Sequence, residues 1–295
     1  MTAHVAICVA TYRRPDGLER LITSLERLTF ADTTAQITIV VVDNDATSDP
    51  SAPPPRSRHR IVRHIEPKKG LASVRNACLD HAPPDADFIA FLDDDEWVEP
   101  QWLDALLAIQ RATGAEIIQG PVKPAYPVPP PGWMSEGGYH EVGPFDDGQR
   151  LQHGATGNVL IAREALVRTG ARFATDYDAS GGEDVDFFAF MLARGCRIVA
   201  AAEAVAHEAV PPDRMSRAWV LRRRYRTGHT LGLIARRQGG VVTRFAKALA
   251  RLGYGAGQAF LGTLATASAA NHGLANMAWG LGTLAALVGL KAPRS

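Results

Sequence analysis

The chain has no Asp or Glu from residue 214 to 295, although 13 Lys and Arg fall in that stretch. The first 213 residues hold 19 basic and 31 acidic ones, so a net charge of +1 hides an acidic body and a strongly basic tail. A basic tail calls for an anionic partner. Nucleic acid is a poor fit, because Arg222-Arg223-Arg224-Tyr225-Arg226 has little aromatic interleaving and no known reader motif. Cysteine is scarce too. Cys8, Cys78 and Cys196 are far apart and odd in number, which implies no disulfide framework and fits a reducing cytosol. Residues 1–9 carry no basic leader, and their apolar run is too short for a secretory signal. The turn Ala10-Thr11-Tyr12-Arg13-Arg14-Pro15 contains no glycine, which argues against a dinucleotide redox cofactor and a P-loop. No charge interrupts residues 252–290. Even so, Ser268-Ala269-Ala270-Asn271-His272-Gly273 splits them into two Ala/Gly-rich halves, each shorter than the roughly 20 residues of a comfortable membrane span.

What is present alternates between two periods. Residues 5–9, 37–42 and 61–65 read as strands, and residues 16–28 repeat Leu18, Leu21, Ile22, Leu25 and Leu28 at helical spacing. Residues 71–81 read as a second helix, followed by the apolar strand Phe88-Ile89-Ala90-Phe91-Leu92. The Pro-rich residues 50–55 read as loop. Continuous apolar strands separated by helices predict an α/β fold, a mostly parallel sheet covered on both faces. Residues 120–153 break the pattern with many Pro and Gly, and a long irregular insert in a compact domain is usually functional or mobile. Its Trp133 and Tyr139 are candidates to stack on a sugar ring or to fold onto the body. Strand candidates return at residues 157–162 and 196–202, with helices from 163 and over 185–194.

The chemistry concentrates at strand ends. Asp93-Asp94-Asp95 close the apolar strand, and adjacent like charges are unfavourable unless water or a cation compensates them. Residues two apart in an extended chain point the same way, so Asp93 and Asp95 can converge on one ion. Oxygen-only ligands suit Mg²⁺ or Mn²⁺; the alternative is a solvated acidic turn or a helix cap. Asp43 at the tip of the second strand reads as a nucleoside contact or as a turn former. Glu183 and Asp184, after Gly181-Gly182 at a helix start, read as a ligand site or as plain caps. His207 reads as a structural residue or a ligand.

Taken in order, Ile7-Cys8-Val9-Ala10-Thr11-Tyr12-Arg13-Arg14-Pro15, Val41-Val42-Asp43-Asn44-Asp45, Gly70-Leu71-Ala72-Ser73-Val74-Arg75-Asn76, Phe91-Leu92-Asp93-Asp94-Asp95-Glu96-Trp97, Gly157-Asn158, Gly182-Glu183-Asp184 and His207 resemble glycosyltransferase family 2. The wording is closest to bacterial exopolysaccharide transferases of the succinoglycan type. The resemblance spans roughly residues 4–230 and implies a GT-A fold, Rossmann-like, with inversion at the anomeric carbon. It implies nucleotide-sugar contacts from Thr11, Tyr12, Arg14, Asp43, Arg75, Asp94, Asn158 and Glu183. It implies metal contacts from Asp93, Asp95 and His207, and a catalytic base at Asp184. The Gln-x-x-Arg-Trp motif of polymerising members is missing, which favours transfer of a single sugar.

The expectation is therefore a catalytic domain over residues 1–230 and a basic, then apolar, helical tail over 231–295. The expected enzyme takes a nucleotide-sugar, a UDP-sugar above all, and a glycan or polyprenyl-diphosphate-linked acceptor, with Mg²⁺ or Mn²⁺ as cofactor. Its tail would rest on anionic lipid of the inner leaflet, because both flanks of the apolar stretch are basic; the alternative is a soluble Ala-rich helical pair docked on the catalytic domain, or a partner-binding surface. Gly253 and Gly257 have the small-xxx-small spacing of close helix contacts. A metal-dependent nucleotidyltransferase and a non-catalytic, membrane-bound sugar-binding protein are the competing readings.

Overall fold

A computed structural model describes residues 2–31, 33–49, 51, 56–178, 181–264 and 266–290. The elements run β1 (Ala3–Thr11), α1 (Pro15–Leu25), β2 (Ala35–Asp43), β3 (Arg60–Ile65), α2 (Leu71–His81), β4 (Phe88–Asp93), β5 (Glu96–Val98) and α3 (Trp102–Thr113). Then come β6 (Ile117–Gln119), β7 (Val122–Ala125), α4 (Gly132–Ser135), β8 (Arg150–Leu151), β9 (Val159–Ala162), α5 (Arg163–Thr169) and α6 (Glu183–Ala193). The chain closes with β10 (Ile198–Ala200), β11 (Ala206–Ala209), α7 (Arg217–Gln238), α8 (Val241–Leu264) and α9 (Ala267–Leu287). The proline-rich run predicted as a loop lies mostly outside the described residues.

Two compact units emerge. The first takes Met1–Pro124, Glu141–Asp178 and Glu183–Ala209; the second takes Ala125–His140, Ala179–Gly182 and Val210–Ser295. In the first unit, eight strands pair in the order β3-β2-β1-β4-β9-β6-β10-β8. The four strands β3, β2, β1 and β4 are mutually parallel. Parallel neighbours need crossovers; α1 supplies the one from β1 to β2 and α2 the one from β3 to β4. β9 runs antiparallel between β4 and β6, beyond it β6 and β10 pair parallel again, and β8 closes the edge antiparallel to β10, so the sheet is mostly parallel as the sequence predicts. A three-stranded sheet, β5-β11-β7, stands beside the large one.

Alternation along β1 explains why a run without polar residues is stable there. Val5, Ile7 and Val9 face Leu21 and Leu25 of α1 and Trp102, Leu103 and Leu106 of α3. Ala6 and Cys8 face the opposite layer, with Val74 and Cys78 of α2 and Phe187 and Phe188 of α6. Each face buries aliphatic side chains worth about 1.5–3 kcal/mol apiece. This is why the strands read as apolar throughout rather than alternating.

In the second unit, α9 packs against both α7 and α8. Small residues set the approach: a Cβ at Gly280 would come 2.8 Å from Leu252 Cγ and 3.0 Å from the Ala248 carbonyl oxygen. The other face of α8 is open. Val242, Phe245, Leu249, Phe260 and Leu261 are exposed, and Gly253 and Gly257, on the same line, have nothing within 4 Å of a built Cβ. Those positions recur at three and four residues, so they form one stripe.

Candidate active site

The carboxyl ends of β1, β2 and β4 carry the predicted residues. Thr11 lies opposite Asp43 across β1–β2, and Ala10 lies opposite Asp93 across β1–β4. In doubly wound sheets this edge is where ligands bind.

Asp94 is the centre of the first loop. It is 6% exposed, and its Oδ2 accepts from the Thr11 hydroxyl at 2.9 Å and from the Tyr12 backbone N–H at 3.3 Å. Arg14 Nη1 donates to Asp94 Oδ1 and to Asp95 Oδ2, each at 2.8 Å. The crowding of acids read from the sequence is thus offset by the chain's own arginine. Tyr12 is exposed, with the Arg13 guanidinium 5.2 Å and the Lys69 ammonium 5.3 Å from its ring centroid. Arg13 sits at φ 54, a left-handed position disfavoured for a long side chain, and its guanidinium holds Asp45 at 2.6 Å. That contact, with the Thr47 hydroxyl and amide, draws the Asp45 carboxyl well below the usual range.

Asp43 closes an Asx turn, its Oδ1 accepting from the Asp45 N–H at 3.0 Å. Its Oδ2 accepts from the Ser48 hydroxyl at 2.6 Å and faces Arg63 at 3.6 Å. Asn44 then ties the end of β2 to the approach of α2, donating to the carbonyls of Glu66 and Lys68 and accepting from the Gly70 N–H. Asp178 braces the start of α2, accepting from the Ser73 N–H at 3.1 Å and hydroxyl at 2.8 Å.

Arg75 joins three elements. From α2 it donates to Asp93 Oδ1 at 3.1 Å and pairs with Glu183 at the start of α6. It is 5% exposed. Burial alone would pull the guanidinium down; the charges of Asp93, Glu183 and Asp184 overcome that and hold it raised. Glu183 is buried as well, and desolvation lifts its carboxyl despite Arg75. Its second oxygen has no hydrogen-bond partner. Asp184, half-buried in the first turn of α6, accepts from the Val185 N–H at 2.8 Å and forms no ion pair of its own among the described residues.

Glu96, which follows the acid triplet, turns back onto it. It is 2% exposed, accepts from the Asp93 N–H at 2.8 Å, and has its carboxyl pushed well up by burial first and by Asp93 next. A Cβ on Gly157 would come 2.6 Å from its Oε1, so a side chain there would displace the Glu96 carboxyl. Asn158 is fully buried. Its amide donates to the carbonyls of Pro121 at 2.8 Å and Ala204 at 2.7 Å and accepts from the Trp102 indole at 2.6 Å. Those bonds make it a brace for the segments around the edge.

His207 sits opposite Trp97 in the β11–β5 pair, stacking on that ring at 5.4 Å and bonding Glu99 at 3.2 Å. Strand alternation turns it away from Glu208, the neighbour whose charge reaches Glu96. Among the described residues no three His, Cys, Asp or Glu side chains gather as a metal-ligand set. Asp93 and Asp95 remain an oxygen-only pair. Such a pair fits Mg²⁺, which keeps several waters and takes one or two carboxylates plus substrate phosphates. Of the loop aromatics, Tyr139 is buried in the second unit, 5.6 Å from the Trp133 ring and 5.3 Å from His272.

Comparison with known proteins gives a consistent picture. A family model described as glycosyl transferase family 2 matches residues 6–170. The succinoglycan biosynthesis protein ExoM of Rhizobium meliloti (strain 1021) is 37% identical over 302 residues, covering 98% of this chain and 94% of that one. The succinoglycan biosynthesis protein ExoW of the same organism is 30% identical over 115 residues, covering 37% and 35%. Among solved structures, S. aureus TarS 1-349 in complex with UDP-GlcNAc aligns over 99% of this chain and 93% of that one, with a TM-score of 0.53 at 13% identity. The same protein in complex with UDP aligns over 95% and 90%, with a TM-score of 0.52 at 15% identity. At those identities the likeness is one of fold. With a family model over more than half its length and a relative alignable nearly end to end, the chain belongs to glycosyltransferase family 2: it is a glycosyltransferase on the GT-A fold.

Proposed function

We propose that this enzyme moves one sugar from a UDP-sugar to a lipid-linked glycan in exopolysaccharide assembly, with inversion at the anomeric carbon. The observation that carries the reading is the convergence of Thr11, Asp43, Arg75, the Asp93–Asp95 loop and Asp184 in one unit, at the carboxyl edge of the parallel strands. The relative named for succinoglycan biosynthesis supports the process, and the TarS complexes with UDP and UDP-GlcNAc support the donor class.

In this reading Asp43 and Thr11 flank the nucleoside, and Tyr12, with Arg13 and Lys69 beside it, offers a ring face for the base. Arg75 and Arg14 hold the acidic loop in place around the diphosphate. Asp93 and Asp95 would hold Mg²⁺ or Mn²⁺, which as a Lewis acid offsets charge on the departing diphosphate. Asp184 takes the proton of the acceptor hydroxyl as its oxygen attacks the anomeric carbon and the bond to the diphosphate breaks on the opposite face. One carboxylate suffices for a single displacement; no second nucleophile is needed. Among the described residues no helix is long and apolar enough to cross a membrane. The open stripe of α8 beside Arg244 and Lys247 instead supports attachment to an anionic lipid surface at the inner face of the membrane.

The test is a panel of nucleotide-sugars scored for nucleoside diphosphate release. Release from a UDP-sugar, abolished by chelator and restored by Mg²⁺ or Mn²⁺, is the expected result. Full activity in excess chelator would remove the metal from the reading. A folded protein that accepts only another nucleotide would remove the uridine.

A further inference from the structure

A second cluster of cations lies wholly within the second unit. α7 and α8 bring two arginines to one indole: the guanidinium carbons of Arg224 and Arg251 lie 5.8 and 3.5 Å from the Trp279 ring centroid. Arg224 also stands 5.8 Å from the Tyr139 ring, and Arg217 stands 5.7 Å from the neighbouring Trp133 ring. Arg251 is fixed by donating to the Asn276 carbonyl oxygen at 2.9 Å. Tyr139 is 5% exposed, and its hydroxyl, on the ring that Arg224 covers, has no hydrogen-bond partner.

No ion pair joins Arg217, Arg224 or Arg251 to a carboxylate among the described residues. The sequence explains why: residues 214–295 contain no acid at all. The guanidinium of Arg224 is lowered by burial and then by the charge of Arg223, and that of Arg251 by burial and then by Arg224. Ring faces attract these cations but leave their charge in place. Two half-buried guanidiniums held at one indole, with an orphaned hydroxyl on the ring that Arg224 covers, lack an anion. Guanidinium forks match phosphoryl oxygens better than any other side chain does.

We propose that Arg224 and Arg251, with Arg217 and the Tyr139 hydroxyl, bind the diphosphate of the lipid-linked acceptor. The proposal rests on the lipid-linked acceptor of the reading above and gives it a location. A single phosphodiester offers one charge to a site with at least two uncompensated cations; a diphosphate offers one phosphoryl group to each. The shared chemistry is a phosphate anion, whose sources are a diphosphate lipid, ordinary phospholipid headgroups or free pyrophosphate.

The full chain, saturated with UDP so that the donor site does not compete, is titrated with farnesyl diphosphate in neutral detergent micelles and followed by tryptophan fluorescence. Parallel arms use phosphatidylglycerol micelles and free pyrophosphate. The diphosphate lipid is expected to bind at least 10-fold more tightly than phosphatidylglycerol. Removing a charge-assisted bond to phosphate typically weakens binding about 10-fold, so Arg224→Gln with Arg251→Gln should weaken it about 100-fold. UDP binding should stay unchanged. Tyr139→Phe, which removes one oxygen and keeps the ring, should weaken it a few-fold and serves if the double variant does not fold. Equal affinity for phosphatidylglycerol, undiminished binding by the double variant with an intact circular dichroism spectrum, or no binding by the wild type overturns the proposal. UDP release from the donor, measured on separate UDP-free samples of the same proteins, reads the donor site alone, so its failure counts against the proposed donor chemistry and not against this site.

Discussion

Among the described residues neither Asp184 nor Glu96 has an ion pair, while Asp93, Asp94, Asp95 and Glu183 each face an arginine. Glu96 is buried and Asp184 only half-buried, so Asp184 is the unpaired acid that an acceptor can reach. A base must be able to accept a proton, so pairing and exposure together set it apart from its neighbours. Asp184→Asn keeps the size and the capping ability, since Asn is about as good a cap as Asp. Folding and UDP binding should survive while turnover falls by the ~10²–10⁴-fold expected of a lost general base. Near-normal turnover would move the role to another carboxylate. Arg14 offers a second residue-level test. Arg14→Gln leaves Asp94 and Asp95 without their shared counter-charge, so the metal-free protein should lose roughly 1 kcal/mol, a modest figure because Arg14 is half exposed. Mg²⁺ should then raise the melting temperature of the variant more than that of the wild type. An equal rise in both would mean that the ion and Arg14 do not share these acids.

At the scale of elements, α8 separates two uses of small and apolar residues. One side meets α9 closely at Gly280, and the other leaves Val242, Phe245, Leu249, Phe260 and Leu261 uncovered. Replacing Phe245, Leu249 and Phe260 by Gln should leave α8 packed on α9 and abolish flotation with anionic vesicles at high salt, where charge attraction is screened. Retained flotation would place membrane contact elsewhere. Much at this scale was legible in the sequence. The helix read at Leu71–His81 stands as read, and β1, β2 and β4 follow the apolar runs because a strand buried on both faces must be apolar throughout. The small sheet was not legible. β5 is Glu96-Trp97-Val98, three residues with a buried acid, and it exists only because β11 pairs with it from more than 100 residues away. Nor could spacing reveal that Arg75 meets Glu183, or that the Asn158 amide is consumed by two carbonyls and an indole. Those are properties of the packed molecule, and the sequence marks them only as polar residues in apolar surroundings.

For the whole molecule, one buried histidine couples stability to pH. His140 is 3% exposed, stacks on Trp219 at 4.8 Å, and is pushed down to about 4 by burial and then by the charge of Arg223. In the unfolded chain it would titrate near ~6.5. Between those values the unfolded state binds more protons, so stability rises with pH across that window and is lost as pH falls through it. His140→Phe keeps the stacking and removes the titration. The stability gap between wild type and variant, from urea unfolding, should shift by about 1–2 kcal/mol in favour of the variant between pH 7 and pH 5. A gap independent of pH would clear His140 of the effect. The division into units also bears on synthesis. The second unit gathers Ala125–His140 and Ala179–Gly182 to helices that begin after Val210, while the first is not complete until Ala209. On the ribosome, where domains generally fold from the N-terminus, the sheet can close while residues 125–140 still wait for their partners. Tyr139, Met134 and Trp133 are then exposed on the nascent chain until α7 and α9 have been made. A chain that stalls or is cleaved near residue 215 would therefore be a sticky intermediate, and a natural client for a chaperone.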